Sequence, residues 1–180
     1  MISRIKRFII FFYFRYLKKD LVGWARFQGV KIGNECRFYI SKFGSEPFLI
    51  EIGNRVTITS GVRLITHDGA NWLVKDDRGR RYSYSRIVIG NNVFIGVDSI
   101  ILPGVVIEDN CIIGAGSVVT KSIPTGSIVA GNPAKIIGSF SDYYEKVLQN
   151  NYSESDKNVS KSFKQNVLSF LDSSNRPYYN

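Results

Sequence analysis

The chain contains one histidine, and it stands in the run "LITHDG", where an aliphatic pattern gives way to a charged stretch. Imidazole is the side chain best suited to take up and return a proton near neutral pH, which makes His67 the first candidate for acid-base chemistry. The plain alternative for a lone histidine is an ordinary structural or surface role. Asp68 follows it and could orient the ring, contact a substrate or simply form a turn. Just beyond lie three flat side chains, Trp72, Tyr82 and Tyr84, among Asn71, Asp76, Asp77, Arg80 and Arg81. Rings of this kind suit stacking on a sugar, and the polar groups suit hydrogen bonds to hydroxyls or to a carboxylate. Such aromatics could equally pack on a neighbouring subunit.

These residues must be held by the stretch that surrounds them, and its pattern is six residues long. Ile89, Ile95, Ile101, Ile107, Ile113 and Val119 form one aliphatic column, and Val93, Ser99, Val105, Cys111, Ser117 and Ile123 form a second. Neither a helix nor an alternating strand has this period. A short strand, a tight turn and another short strand account for it, with three such units making a coil of ~18 residues whose interior stacks on the next coil. Ile-Gly-Asn occurs at Ile32, Ile52 and Ile89, marking the same corner of successive coils. Continuing the step from Leu64 toward Ile89 would place Asp68, Asp76, Arg80 and Arg86 inside, and unpaired charges in a narrow core cost more than the coil recovers. Residues of about 68–86 are therefore expected to leave the coil as an excursion, and a long loop of this kind is usually functional.

The repeat resembles the hexapeptide-repeat acyltransferases, and the closing "GAGSVVTKSIPTGSIVAGNPAKII" is similar to the end of acetyl-CoA-dependent O-acetyltransferases in that superfamily. The resemblance covers roughly residues 30 to 138. It implies an all-β solenoid, a left-handed parallel β-helix, assembled as a homotrimer, with His67 as general base. A substrate hydroxyl would attack the thioester of acetyl-CoA directly, with a coil-turn N–H such as that of Gly96 stabilising the oxyanion. The family pattern carries over onto Gly96, Ala115, Thr120, Lys121 and Lys135 for acetyl-CoA, with no metal. For the glycines the plain reading is turn geometry, and for the lysines solvated charge. Phe94 and Val97 stand where some sugar acetyltransferases have Trp and Ser, and Gly138 where a basic residue is frequent. A β-helix carbonic anhydrase needs three histidines on zinc, which one per chain cannot supply at an asymmetric subunit boundary.

The 180-residue chain carries a net charge of +9 and suits one domain with short extensions. Residues 1–29, "MISRIKRFIIFFYFRYLKKDLVGWARFQG", are basic and aromatic. The apolar run from Phe8 to Phe14 is far shorter than the ~20 residues a membrane span needs, and no small-residue cleavage site follows it. An amphipathic helix is expected, either packed on the coil or lying on an anionic membrane surface. No nucleic-acid-binding motif accompanies the charge. Cys36 and Cys111 fall in the second interior column and read as buried, reduced thiols of a cytoplasmic protein. Residues 139–180 are expected to add short helices, Ser141–Asn151 and Ser162–Leu171, as terminal cover.

The function implied is transfer of an acetyl group from acetyl-CoA to a sugar hydroxyl in bacterial surface polysaccharide synthesis, in the cytoplasm or at the inner face of its membrane. The alternatives are N-acetylation of an amino sugar or small-molecule amine, and a non-catalytic trimeric scaffold.

Overall fold

The six-residue step works because each short strand turns one aliphatic side chain inward before the chain bends. In the computed structural model, which describes residues 4–170, helices α1 (Arg4–Phe12) and α2 (Leu21–Gln28) come first, joined by a π-helical turn at Tyr13–Leu17. The coils follow. The first holds β1 (Lys31–Ile32) and β2 (Arg37–Phe38), and the second β3 (Ile50–Ile52), β4 (Thr57–Ile58) and β5 (Arg63–Leu64). The chain then leaves the coil as a 3-10 turn, Gly69–Leu73, and an antiparallel ribbon, β6 (Lys75–Asp76) and β7 (Gly79–Arg80). It re-enters through β8 (Ile87–Ile89), β9 (Phe94–Ile95) and β10 (Ile100–Ile101), and repeats through β11 (Val106–Ile107), β12 (Ile112–Ile113) and β13 (Val118–Val119). A final β14 (Ser127–Gly131) and β15 (Ala134–Ser139) close the series.

Pairing sorts these strands into three parallel sides visited in rotation. The first side is β1-β3-β8-β11, the second β2-β4-β9-β12-β14, and the third β5-β10-β13; β15 pairs antiparallel on the end of the second. Ile89 pairs with Ile107, Ile95 with Ile113 and Ile101 with Val119, so one turn of the coil is 18 residues. All six residues of the first aliphatic column and all six of the second are buried. Removing one such isoleucine from water is worth about 1.5–3 kcal/mol, and it is realised only because the coils above and below cover it.

The repeated Ile-Gly-Asn has a physical reading. Asn54 accepts from the Asn34 N–H, Asn91 from the Asn54 N–H, and Asp109 from the Asn91 N–H, at 2.8, 2.9 and 2.6 Å. Each acceptor lies where a Cβ on the glycine of the preceding coil would sit: a Cβ on Gly53 would be 2.7 Å from Asn91 Oδ1, and one on Gly90 2.3 Å from Asp109 Oδ1. The isoleucine fills the core, the glycine admits the next coil's side chain, and that side chain caps the turn. Asp109 is held below its ordinary value by the Asn91 hydrogen bonds, as an acceptor in this ladder should be.

The two cysteines differ. Cys111 is fully buried, and burial pushes its thiol up. Cys36 is only half-buried, because it belongs to the edge coil and lacks a neighbour on one side. The amphipathic N-terminal segment is two helices rather than one, with Trp24 and Ala25 of α2 buried. Among the described residues no helix is long and apolar enough to cross a membrane.

The chain divides at Asp142/Tyr143 into two units. The second contains most of α3 (Phe140–Asn150) and all of α4 (Phe163–Ser169), which a Ser162/Gln165 capping box starts. Tyr152 stacks on Phe170 with ring centroids 4.5 Å apart. Of the expected helix to Leu171, the last residue lies outside the described residues, as do 1–3 and 172–180.

Candidate active site

His67 follows β5 at the corner between the third and first sides, where the excursion begins. An isolated antiparallel bridge to Tyr84 holds its backbone. Its side chain is 40% exposed, and Nδ1 lies 2.9 Å from Glu46 Oε2. Among the described residues Nε2 has no hydrogen-bond partner. Glu46 comes from residues 41–49, which stand where the third side of the first coil would be and end in a 3-10 turn, Pro47–Leu49. Thr66 Oγ1 donates to the same carboxylate oxygen at 2.7 Å. Burial works to raise the Glu46 carboxyl, but the hydrogen bonds from Thr66 and His67 outweigh it and hold it below its ordinary value. The pair is thus a carboxylate fixing one imidazole nitrogen, with the other turned away from it.

Glu46 carries no sequence signal of its own. It stands 21 residues from His67 inside what reads as a small insertion, and only the coil brings the two together. Asp68, the neighbour in sequence, does not orient the ring: its carboxylate accepts from Ala70 N at 2.9 Å and starts the 3-10 turn.

The excursion folds back on itself. The Arg80 guanidinium lies 4.9 Å from the Trp72 ring centroid and 4.7 Å from that of Tyr82. Tyr82 stacks on Tyr84 at 6.3 Å, and Tyr84 is 6.1 Å from the imidazole. Trp72, Tyr82 and Tyr84 are all exposed, so a ladder of flat groups leads across the surface to His67. Asn71 is half-buried, and its carbonyl accepts from Val74 N. An open groove of about 580 Å³ runs between residues 39–42 and 61–65, in the segments that lead to Glu46 and His67, and neither member of the pair lines it.

The residues expected to hold the acyl donor fall on two corners. Gly96 and Ala115 lie between the second and third sides, and Lys135 joins them through its pairing with Ala130. Thr120 and Lys121 follow β13 at the corner between the third and first sides, on the His67 edge. About five residues of extended chain separate the corners, roughly 15 Å. Ala115, Thr120, Lys121 and Lys135 are exposed. Gly96 is buried: a Cβ there would meet Ala115 N at 2.5 Å, so its smallness seats the next coil. Its N–H donates to Ile113 O at 2.8 Å and is not available to an oxyanion.

Residues 86–121 match the family model "Bacterial transferase hexapeptide (six repeats)". Protein CapG of Staphylococcus aureus is 47% identical over 162 residues, spanning 84% of this chain and 92% of that protein. The chain belongs to the hexapeptide-repeat acyltransferases. Galactoside O-acetyltransferase of Escherichia coli K12 is 42% identical over 107 residues, 56% of this acyltransferase and about half (51%) of that one. Among solved structures, a maltose O-acetyltransferase from Clostridium difficile 630 has a TM-score of 0.53 and 34% identity over 62% of this chain and 59% of its own.

In this acyltransferase two of the departures noted in the sequence, Phe94 and Val97, are exposed on the coil wall. Gly138 lies in the open, with nothing within 4 Å of an added Cβ. Among the described residues no cluster of His, Cys, Asp and Glu suits a metal ion.

Proposed function

We propose that the chain is an acetyl-CoA-dependent O-acetyltransferase acting on a sugar hydroxyl in bacterial surface polysaccharide synthesis, with His67 as general base. The observation that carries this reading is the 2.9 Å pairing of His67 Nδ1 with Glu46, which leaves Nε2 to work. The Glu46 carboxylate keeps the proton on Nδ1, so the Nε2 lone pair accepts the hydroxyl proton as the oxygen attacks the thioester carbonyl. The imidazolium that forms is stabilised by the same carboxylate. As the tetrahedral adduct collapses, Nε2–H returns the proton to the departing thiolate, and no acyl-enzyme is required. The exposed Trp72, Tyr82 and Tyr84 rings supply stacking faces for the acceptor, with Asn71 and Asp68 at its edge.

Acetyl-CoA would lie along Ala115, Thr120, Lys121 and Lys135, with Gly96 seating Ala115 from below. Because these residues occupy two corners, one cleft forms if the Ala115 corner of one copy faces the His67 corner of another. This favours a homotrimer of left-handed coils, each seam shared by two subunits. The galactoside and maltose acetyltransferases to which the chain is similar support the O-acetyl and sugar parts of the proposal.

Labelled acetyl-CoA supplied with a panel of hydroxyl and amino sugars tests it. Label is expected in an alkali-labile ester on oxygen. Label found only on nitrogen, or on no sugar in the panel, would overturn the proposal.

A further inference from the structure

We propose that the N-terminal arm is a docking surface for the anionic face of a lipid bilayer. Residues 4–17 form α1 and the π-helical turn, and they present two apolar stripes instead of one. Ile10, Phe11 and Phe14 turn toward the core, where Phe11 and Phe14 pack on Trp24 at ring distances of 5.1 and 6.5 Å. Ile5, Phe8, Ile9, Phe12 and Tyr16 recur at the spacing of one helix face, and all five are exposed, Phe8 by 67%. A helix that buries one stripe ordinarily turns polar groups outward. This one turns out phenyl and butyl groups.

The charge around that stripe identifies the occupant. Arg4, Lys6, Arg7, Arg15, Lys18 and Lys19 lie in the same segment, with no acidic residue between Arg4 and Lys19. Lys18 lies 5.6 Å from the Tyr13 ring centroid and Arg15 5.8 Å from that of Tyr16, so cations border the exposed rings. A second copy of the arm would bring one set of cations against the other, which disfavours self-association. An interfacial helix seeks this composition: aromatic and aliphatic groups enter the acyl boundary while Lys and Arg meet anionic headgroups. Fourteen residues make a cylinder of ~20 Å, suited to lying flat.

The arm also sits beside the candidate site. Trp24 Nε1 donates to Ser41 O at 2.8 Å, and Arg7, Phe11 and Gln28 line a recess with Ser41–Gly44, the segment that leads to Glu46. Seating the arm on a bilayer would hold the Glu46–His67 pair near headgroup level, where a glycan on a lipid carrier is presented. This last step rests on the acetyltransferase reading, whereas the docking surface does not.

Flotation of the full chain with vesicles of mixed phosphatidylglycerol and phosphatidylcholine, against phosphatidylcholine alone, decides the matter. Binding to the anionic vesicles is expected to be at least about tenfold tighter and to weaken with salt. Phe8→Ser with Phe12→Ser should abolish it, and Arg4→Glu with Arg15→Glu should weaken it by about tenfold or more, both with unchanged far-ultraviolet circular dichroism. Equal affinity for both vesicles, or undiminished binding by the Phe8/Phe12 variant, would overturn the proposal. So would a fall in solution mass of that variant without lipid, which would assign the stripe to a second copy. Acetyl transfer to a soluble sugar is read separately and should be the same in both variants as in the wild type. Absence of transfer by the wild type, with its vesicle binding as expected, would count against the acetyltransferase reading alone.

Discussion

The coils from β8 to β14 and the two coils that precede the excursion are built from the same unit but serve different ends. Above the excursion every interior position is aliphatic or small, the coils advance by 18 residues until the last, from β12 to β14, which takes 16, and no loop leaves the stack. Below it the first coil loses its third side to residues 41–49, and the second runs out into 68–86. Glu46 and His67 stand at these two interruptions, and the regular coil keeps them in register. A repeat that satisfies itself has no group left over for chemistry, so reactive side chains collect where it is broken.

The largest expected effect tests the broken region. His67→Ala should lower kcat by about 10²–10⁴-fold in a steady-state acetyl-transfer assay, with little change in the thermal melt because the ring is partly exposed. Unaltered turnover would remove the mechanism. In the regular region the expectation reverses. Ile107→Ala, at a fully buried position, should cost about 2–5 kcal/mol in denaturant unfolding while leaving kcat of the folded fraction near that of the wild type. If both changes struck stability and turnover alike, the contrast between the regions would fail.

How much of this was legible in the sequence follows the same division. The period of six placed the interior columns correctly as far as Val119, since a residue that recurs at one corner of every coil must face the same interior; Ile123, expected in the second column, instead bridges Ile107 of the first, because the last coil is two residues shorter. The excursion was legible too, by elimination: continuing the step would have buried Asp76 and Arg80, and both are exposed. Cys36 was misjudged because periodicity does not say which coil lies at the edge. The Gly96 N–H was misjudged for a related reason, since its partner Ile113 belongs to the next coil. Glu46 was illegible. Nothing local marks an acid in a short insertion as the partner of a histidine 21 residues away.

A smaller effect sharpens the point about stacking. Gly96→Ala puts a methyl 2.5 Å from a backbone nitrogen of the next coil, which cannot step aside, and should cost about 1–3 kcal/mol of stability. Gly138→Ala, with open space around it, should be close to neutral. Equal costs in paired unfolding curves would mean that the coils are spaced more loosely than the ladder of Asn and Asp side chains implies.

Glu46→Gln carries the smallest structural change and addresses the joint between the two interruptions. The amide can still accept from Thr66 and reach His67, but it cannot stabilise an imidazolium by charge. Loss of a charged hydrogen-bond partner is worth about 1.5–3 kcal/mol, so kcat should fall on the order of ten- to a hundredfold with the fold kept. Acid titration supplies an independent check. The folded Glu46 carboxyl lies below its ordinary value of 4.5, so between those two values the unfolded chain holds more protons than the native one. Its contribution is therefore complete above pH 4.5 and is lost as pH falls through the folded value. Stability curves of wild type and Glu46→Gln should accordingly converge on acidification below 4.5. A separation that does not change with pH would mean that the carboxylate packs beside His67 without being charge-coupled to it, and the base would then lack the partner the mechanism assigns.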